Sequence, residues 1–414
     1  MNLNEARLSN GIRVVAEYIP TVQSVTVSLW SRCGSRDELP HQHGIAHFLE
    51  HMLFKGTPTR NATQIAQEIE GRGGVLNAST GKELTFYYAR MLSEHLPVAI
   101  QVLSDMFLNP LLDPEDIERE KGVILEEMRM IEDTPDEILH DLVAEMHWYG
   151  HPLGRRIIGT AETVSAFTRE LLVEFIRTHY RPERIVVAVV GNFETEPLME
   201  ALERTLGVWN PAPSQPLPVS DPTPPHKTTP TDEPILVPRE VEQVHFAIAY
   251  DGVSFHDERR YAQAVLNSLL GGSMFSRLWQ EIREKRGLAY EVGSYASPAS
   301  DGGMFVIYGG TSQQAYPLVQ ELVQTEIERL LSEAPPEEEV ASARNQLKGH
   351  RVLALESTQT RAELIGSEVL MRGRVVPPEE VIAKIDAVTP DDIHHLANDL
   401  FRNAPTQVAI VPEE

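Results

Sequence analysis

The chain has 414 residues, 42% hydrophobic and 23% charged, a balance that suits a soluble globular protein of more than one domain. Its 61 acidic residues outnumber 36 basic ones, and the net charge of −25 repels nucleic-acid phosphates and anionic lipid while attracting cationic peptides or simply conferring solubility. No apolar run approaches the ~20 residues that span a bilayer, the N-terminus lacks the basic and apolar parts of a secretory leader, and the lone Cys33 reads as a small buried hydrophobe in a reducing compartment, so a cytoplasmic protein without membrane or nucleic-acid partners is expected.

In chain order, an alternating apolar pattern predicts a strand at Ser24–Trp30, and the segment from Gly44 to Phe54 reads as a helix. Another strand follows at 85–90. Two helices come next, the second opening at Asp113-Pro114 (a good N-cap followed by a first helical position) and running to Ile131. The apolar run 184–191 closes this half as a strand. Ten prolines between Pro211 and Pro238 then exclude helix and central strand. Beyond them the order repeats, with strand Gln243–Tyr250, a helix near residues 262–272, strand 304–310, two helices, and strand 407–412. The expected fold is α+β, two homologous two-layer α/β domains, each a mainly antiparallel sheet packed with helices. The expected boundaries are 1–208 for the first domain, 209–238 for a Pro-rich linker, and 239–414 for the second, homologous domain.

The halves differ where chemistry would sit. His47-Phe48-Leu49-Glu50-His51 lies in the first half's helix, while the corresponding helix of the second half has no histidine. Positions i and i+4 share a helix face, so both imidazoles can turn to one ion, and Glu50 falls beside that ion as a base for a metal-activated water. This is the mirror of the H-E-x-x-H pattern of zinc peptidases. A catalytic zinc site also needs a third protein ligand. The acidic helix offers Glu120 and Glu127, seven apart on one face with Ile124 between them, and spacing alone leaves open which of them binds.

The strings GIAHFLEHMLFKGT (44–57), EREKGVILEEM (118–128) and LLGGSMFSRLWQEIREKRGLAYEVGSY (269–295) resemble, in order and over essentially the whole chain, the pitrilysin family of H-x-x-E-H zinc metallopeptidases, in the branch of the mitochondrial processing peptidase β subunit and its bacterial relatives. The resemblance implies one zinc per chain held by His47, His51 and Glu127, with Glu50 as base and Glu120 supporting the ligands. It implies that Arg283 and Tyr290 of the second-half signature stabilise the developing oxyanion. It also implies a substrate-binding edge strand at Gly74–Thr80 where Asn77 meets peptide backbone, Phe54 beside the scissile bond, and Glu137 with Asp141 recognising a basic residue. The implied activity is a zinc endopeptidase acting on extended, unfolded or presequence-like peptides inside a dimeric chamber, as a homodimer or with a paralogous chain. Some members of the family are non-catalytic subunits with eroded zinc motifs; here every element of the motif is intact.

Overall fold

The computed structural model of the chain describes residues 3–211 and 233–413, so most of the proline-rich segment 209–238 lies outside the described residues. Contacts divide the chain into two compact units. The first takes the described residues of Met1–Met128, Arg155–Asp221 and Ala354–Val376; the second takes those of Arg129–Gly154, Pro222–Leu353 and Pro377–Glu414.

The first unit is built on a six-stranded sheet, in the order Leu3–Arg7, Arg13–Tyr18, Ile185–Gly191, Ser24–Ser31, Thr85–Leu92, Val75–Thr80. All neighbours are antiparallel except Arg13–Tyr18 and Ile185–Gly191, which run parallel. The seven residues Ile185–Gly191, an apolar run rich in valine, are all buried, as suits a central strand with both faces covered. Helix Thr358–Arg372 covers one face, with Ala362, Ile365 and Val369 against Val186, Ala188 and Trp30. The approach is close at Gly366, where a Cβ would stand 2.2 Å from the Trp30 indole nitrogen.

The second unit repeats this topology on five strands, Ile235–Arg239, Thr406–Pro412, Val244–Gly252, Gly303–Thr311, Ala289–Pro298, which correspond in order to all of the first sheet but its edge strand Leu3–Arg7, and the corresponding pair, Ile235–Arg239 with Thr406–Pro412, is again the parallel one. The duplication inferred from the sequence is therefore a duplication of strand order as well. Helix Pro135–His147 lies on this sheet, burying Ile138, Leu139, Leu142 and Val143 against Ala247, Ala249, Val306, Val408 and Ile410. Two helices thus depart from chain order. The helix at Pro135–His147 comes before the proline-rich segment yet packs in the second unit, and the helix at Thr358–Arg372 comes after it yet packs in the first. Cys33 is fully buried and unpaired, as expected of a small hydrophobe.

Candidate metal centre

The helix that carries both motif histidines spans Ile45–Leu53, and its start is fixed by two features. Gly44 has φ of +88°, a left-handed conformation that costs a residue with a side chain, and a Cβ there would come within 2.5 Å of the Ile158 carbonyl oxygen. The buried Glu38 carboxylate then accepts hydrogen bonds from the Gly44 and Ala46 amides, both at 2.9 Å, satisfying donors that the first helical turn leaves without partners. Burial pushes the Glu38 carboxyl up to about 8, against these amides and the nearby Arg155 and Lys82. Ile45, Ala46, Phe48, Leu49, Met52 and Leu53 face the core, which leaves His47, Glu50 and His51 on the half-buried side.

The acidic helix spans Pro114–Glu132 and is capped as the sequence suggests, with the Asp113 carboxylate accepting from the Glu115 amide at 2.8 Å. Its buried face presents Ile117, Glu120 and Ile124, with Glu127 half-exposed one step further along. Two turns of helix therefore deliver Glu120 and Glu127 to the two histidines in different ways.

His47 Nε2 lies 3.8 Å from Glu127 Oε1 and His51 Nε2 lies 3.7 Å from Glu127 Oε2. One ligand atom from each of the three residues falls within 4.8 Å of the others. These separations are too long for hydrogen bonds, but they suit three donors arranged around an ion at ~2 Å from each. Burial, with His51 beside it, pushes the His47 imidazole down to about 4, so the ring is neutral and its lone pair is free to ligate. His51 Nδ1 is bonded to Glu120 Oε1 at 2.8 Å, which places the proton on Nδ1 and leaves Nε2 as the donor atom toward Glu127. Two imidazoles and a carboxylate, one ring braced by a second carboxylate, are a donor set that fits zinc.

Glu120 is only 2% exposed. Burial works to raise its pKa, but the hydrogen bond with His51 and the ion pair with Lys55 (Nζ to Oε2, 2.5 Å) outweigh burial and hold it below the ordinary carboxylate range. Lys55 lies two residues beyond the end of the histidine helix at Leu53, so no helical spacing places it here and only the fold brings it to Glu120. Glu50 sits next to the triad without joining it. Burial raises its pKa and Glu127 adds to the rise, opposed by a hydrogen bond from the Thr80 hydroxyl and by His51. Thr80 was not singled out from the sequence, although strand alternation puts it on the same side as Leu76 and Ala78.

Of the other sequence-predicted residues, Phe54 caps the C-terminus of the histidine helix, half-buried. Asn77 is exposed on the edge strand Val75–Thr80, its side-chain oxygen accepting from the Ala78 amide at 2.8 Å. In the second unit, Arg283 lies against the Tyr290 ring. The guanidinium carbon lies 4.7 Å from the Tyr290 ring centroid and 4.1 Å from that of Trp279, so Arg283 is held between two aromatic faces. Trp279 is the partner that spacing missed, four residues before the arginine on one wide helical turn, Trp279–Glu284. Tyr290 is 80% exposed. Glu137 and Asp141 share one helix, Pro135–His147, with Glu137 exposed and Asp141 half-buried.

Comparison with known proteins gives the family of the chain. Residues 13–161 match the model of the insulinase family, peptidase family M16, and residues 166–347 match that of the peptidase M16 inactive domain. The chain is 40% identical to an uncharacterized zinc protease of Streptomyces coelicolor, over 98% of this chain and 88% of that protein. It is 38% identical to an uncharacterized zinc protease of Bacillus subtilis, over 95% of this chain and 94% of that one. A crystal structure of a protease from Helicobacter pylori has the same fold, with a TM-score of 0.90, 23% identity and 99% of each chain covered. A peptidase M16 inactive domain from Pseudomonas fluorescens superposes with a TM-score of 0.89 at 20% identity, over 100% of this chain and 98% of that one. The chain belongs to peptidase family M16. Its metal-competent triad lies within the part matched to the first model, and no helix among the described residues is long and apolar enough to cross a membrane.

Proposed function

We propose that the protein is a zinc-dependent endopeptidase that hydrolyses extended, unfolded or presequence-like peptides and binds one zinc per chain through His47, His51 and Glu127. The observation that carries this reading is the convergence of those three side chains, with Glu120 bracing His51 and the Glu50 carboxylate alongside. A zinc ion in this place supplies a Lewis acid that polarises the scissile carbonyl and brings the pKa of water toward ~7. Glu50 then takes the proton of the attacking water and passes it to the leaving amine. The open edge of Val75–Thr80 holds the substrate as an added strand, with main-chain hydrogen bonds that ask little of its sequence, near Asn77 and Phe54.

The second unit supplies Arg283 and Tyr290, a guanidinium and a phenol suited to developing negative charge. We propose that they act in trans, in a cytoplasmic homodimer that encloses a chamber, with a paralogous partner chain as the alternative. Glu137 and Asp141, four apart on one helix, form an anionic face for a basic residue near the cleaved bond.

The test is mass spectrometry of products from a mixed peptide library, with and without chelator and after zinc is restored. The expected result is internal cleavage that chelator abolishes and zinc restores, with arginine enriched near the cleaved bond. Cleavage indifferent to chelator would overturn the zinc reading, and products trimmed only from the ends would overturn the endopeptidase reading. A profile blind to basic residues would remove Glu137 and Asp141 from recognition.

A further inference from the structure

The Glu50 carboxylate has one hydrogen bond among the described residues, and it comes from the Thr80 hydroxyl to Oε2. Thr80 ends the strand Val75–Thr80, which pairs with Thr85–Leu92 on one side, Thr80 opposite Thr85, and is the last strand of its sheet on the other. Along this strand Val75, Asn77 and Ser79 are exposed while Leu76, Ala78 and Thr80 are half-buried. The hydroxyl is thus carried on the covered face of the strand whose free edge can receive a peptide.

We propose that Thr80 is a positioning residue that aims the Glu50 carboxylate and ties it to the substrate-binding strand; this rests on the reading of Glu50 as the base. A glutamate reaches its target through three side-chain torsions, and the Glu50 carboxylate is not fully enclosed, so nothing else in its hydrogen bonding chooses among them. The Thr80 hydroxyl holds Oε2 and leaves Oε1 free to receive a proton. A peptide added to the strand edge takes its register from the same backbone, so the scissile carbonyl and the base are referred to a single strand. Misplacement by ~1 Å at such a point is costly to rate and nearly neutral for binding.

The experiment compares Thr80→Val, which keeps the shape and strand preference and removes the hydroxyl, with Thr80→Ser, which keeps the hydroxyl. Steady-state peptide hydrolysis, zinc content and thermal unfolding are measured for both, and Thr80→Val is repeated in a Glu50→Gln background. Thr80→Val is expected to lower kcat about 10- to 100-fold, to leave KM within about threefold, and to retain zinc, while Thr80→Ser returns kcat to within about threefold of wild type. In the Glu50→Gln background Thr80→Val is expected to cost nothing more. If Thr80→Val unfolds, Thr80→Ala gives the same comparison. A kcat for Thr80→Val within about twofold of wild type, an equal loss in Thr80→Ser, or a full additional loss in the Glu50→Gln background would each overturn the positioning role. Wild-type protein that binds zinc but cleaves nothing would instead overturn the peptidase reading, and the role of Thr80 with it.

Discussion

His51 and Glu120 divide the imidazole between two tasks: Nδ1 bonds the Glu120 carboxylate at 2.8 Å while Nε2 turns toward Glu127, 3.7 Å away. The acidic helix therefore contributes to the site twice, once as a ligand candidate and once as the group that fixes which nitrogen of His51 carries the proton. Lys55 completes the arrangement by neutralising the buried end of Glu120.

Glu120→Gln tests the bracing role. The amide keeps the size of the side chain but removes the charge that orients His51 and pairs with Lys55. Zinc affinity, measured by competition with a chromophoric chelator, is expected to fall about 10- to 100-fold. Unchanged affinity would show that Glu120 has no part in holding His51 in its ligating tautomer.

Gly44→Ala tests how the histidine helix is set in place. The substitution forces a side chain into a left-handed backbone conformation and drives its Cβ against the Ile158 carbonyl. A loss of stability of at least about 2 kcal/mol in urea unfolding is expected. A loss under about 0.5 kcal/mol would mean that the helix start adjusts freely.

His179 should make the fold acid-sensitive. It is buried, packs against Phe175 with ring centroids 4.4 Å apart and planes tilted by 37°, and is pushed down to about 4 by burial and by Arg184 and Arg181. Its folded-state pKa is depressed, so the stability it contributes as a neutral ring is whole above about 6.5 and is lost as the pH falls through about 4. Unfolding measured on metal-stripped protein across this window is expected to show His179→Phe losing less stability than wild type, by up to roughly 3 kcal/mol. Parallel profiles for the two proteins would remove His179 from the acid response.

If the proposed homodimer shares its active site in trans, two inactive variants should complement each other. His51→Ala and Tyr290→Phe are each expected to be inactive alone. After subunit exchange half of all dimers are mixed, and each mixed dimer has one intact site if the residues act in trans, so activity returns to about one quarter of wild type. No recovery despite demonstrated exchange would place both residues in one chain's site.

Much of this was legible in the sequence because it depends on local spacing. His47 and His51 meet because i and i+4 share a helix face, and Glu120 is buried beside Ile124 for the same reason. The strands at 24–31, 85–92, 244–252 and 303–311 follow from alternation and β-branched runs. What stayed hidden depends on tertiary placement. Nothing local says that Pro135–His147 packs on the second sheet or Thr358–Arg372 on the first, since an apolar helix face does not name the sheet it will cover. The Thr80 hydroxyl and the Trp279 ring escaped for a similar reason. Each acts on a residue whose importance was clear, across a contact that only folding creates.

The most direct test of the zinc peptidase account is one pair of measurements on Glu50→Gln, zinc content and peptide turnover on the same purified sample. The substitution is nearly isosteric and leaves both imidazoles and Glu127 in place. The account predicts zinc retained at about one per chain while hydrolysis falls by about 10²-fold or more. Turnover within a few-fold of wild type, with zinc bound, would contradict it.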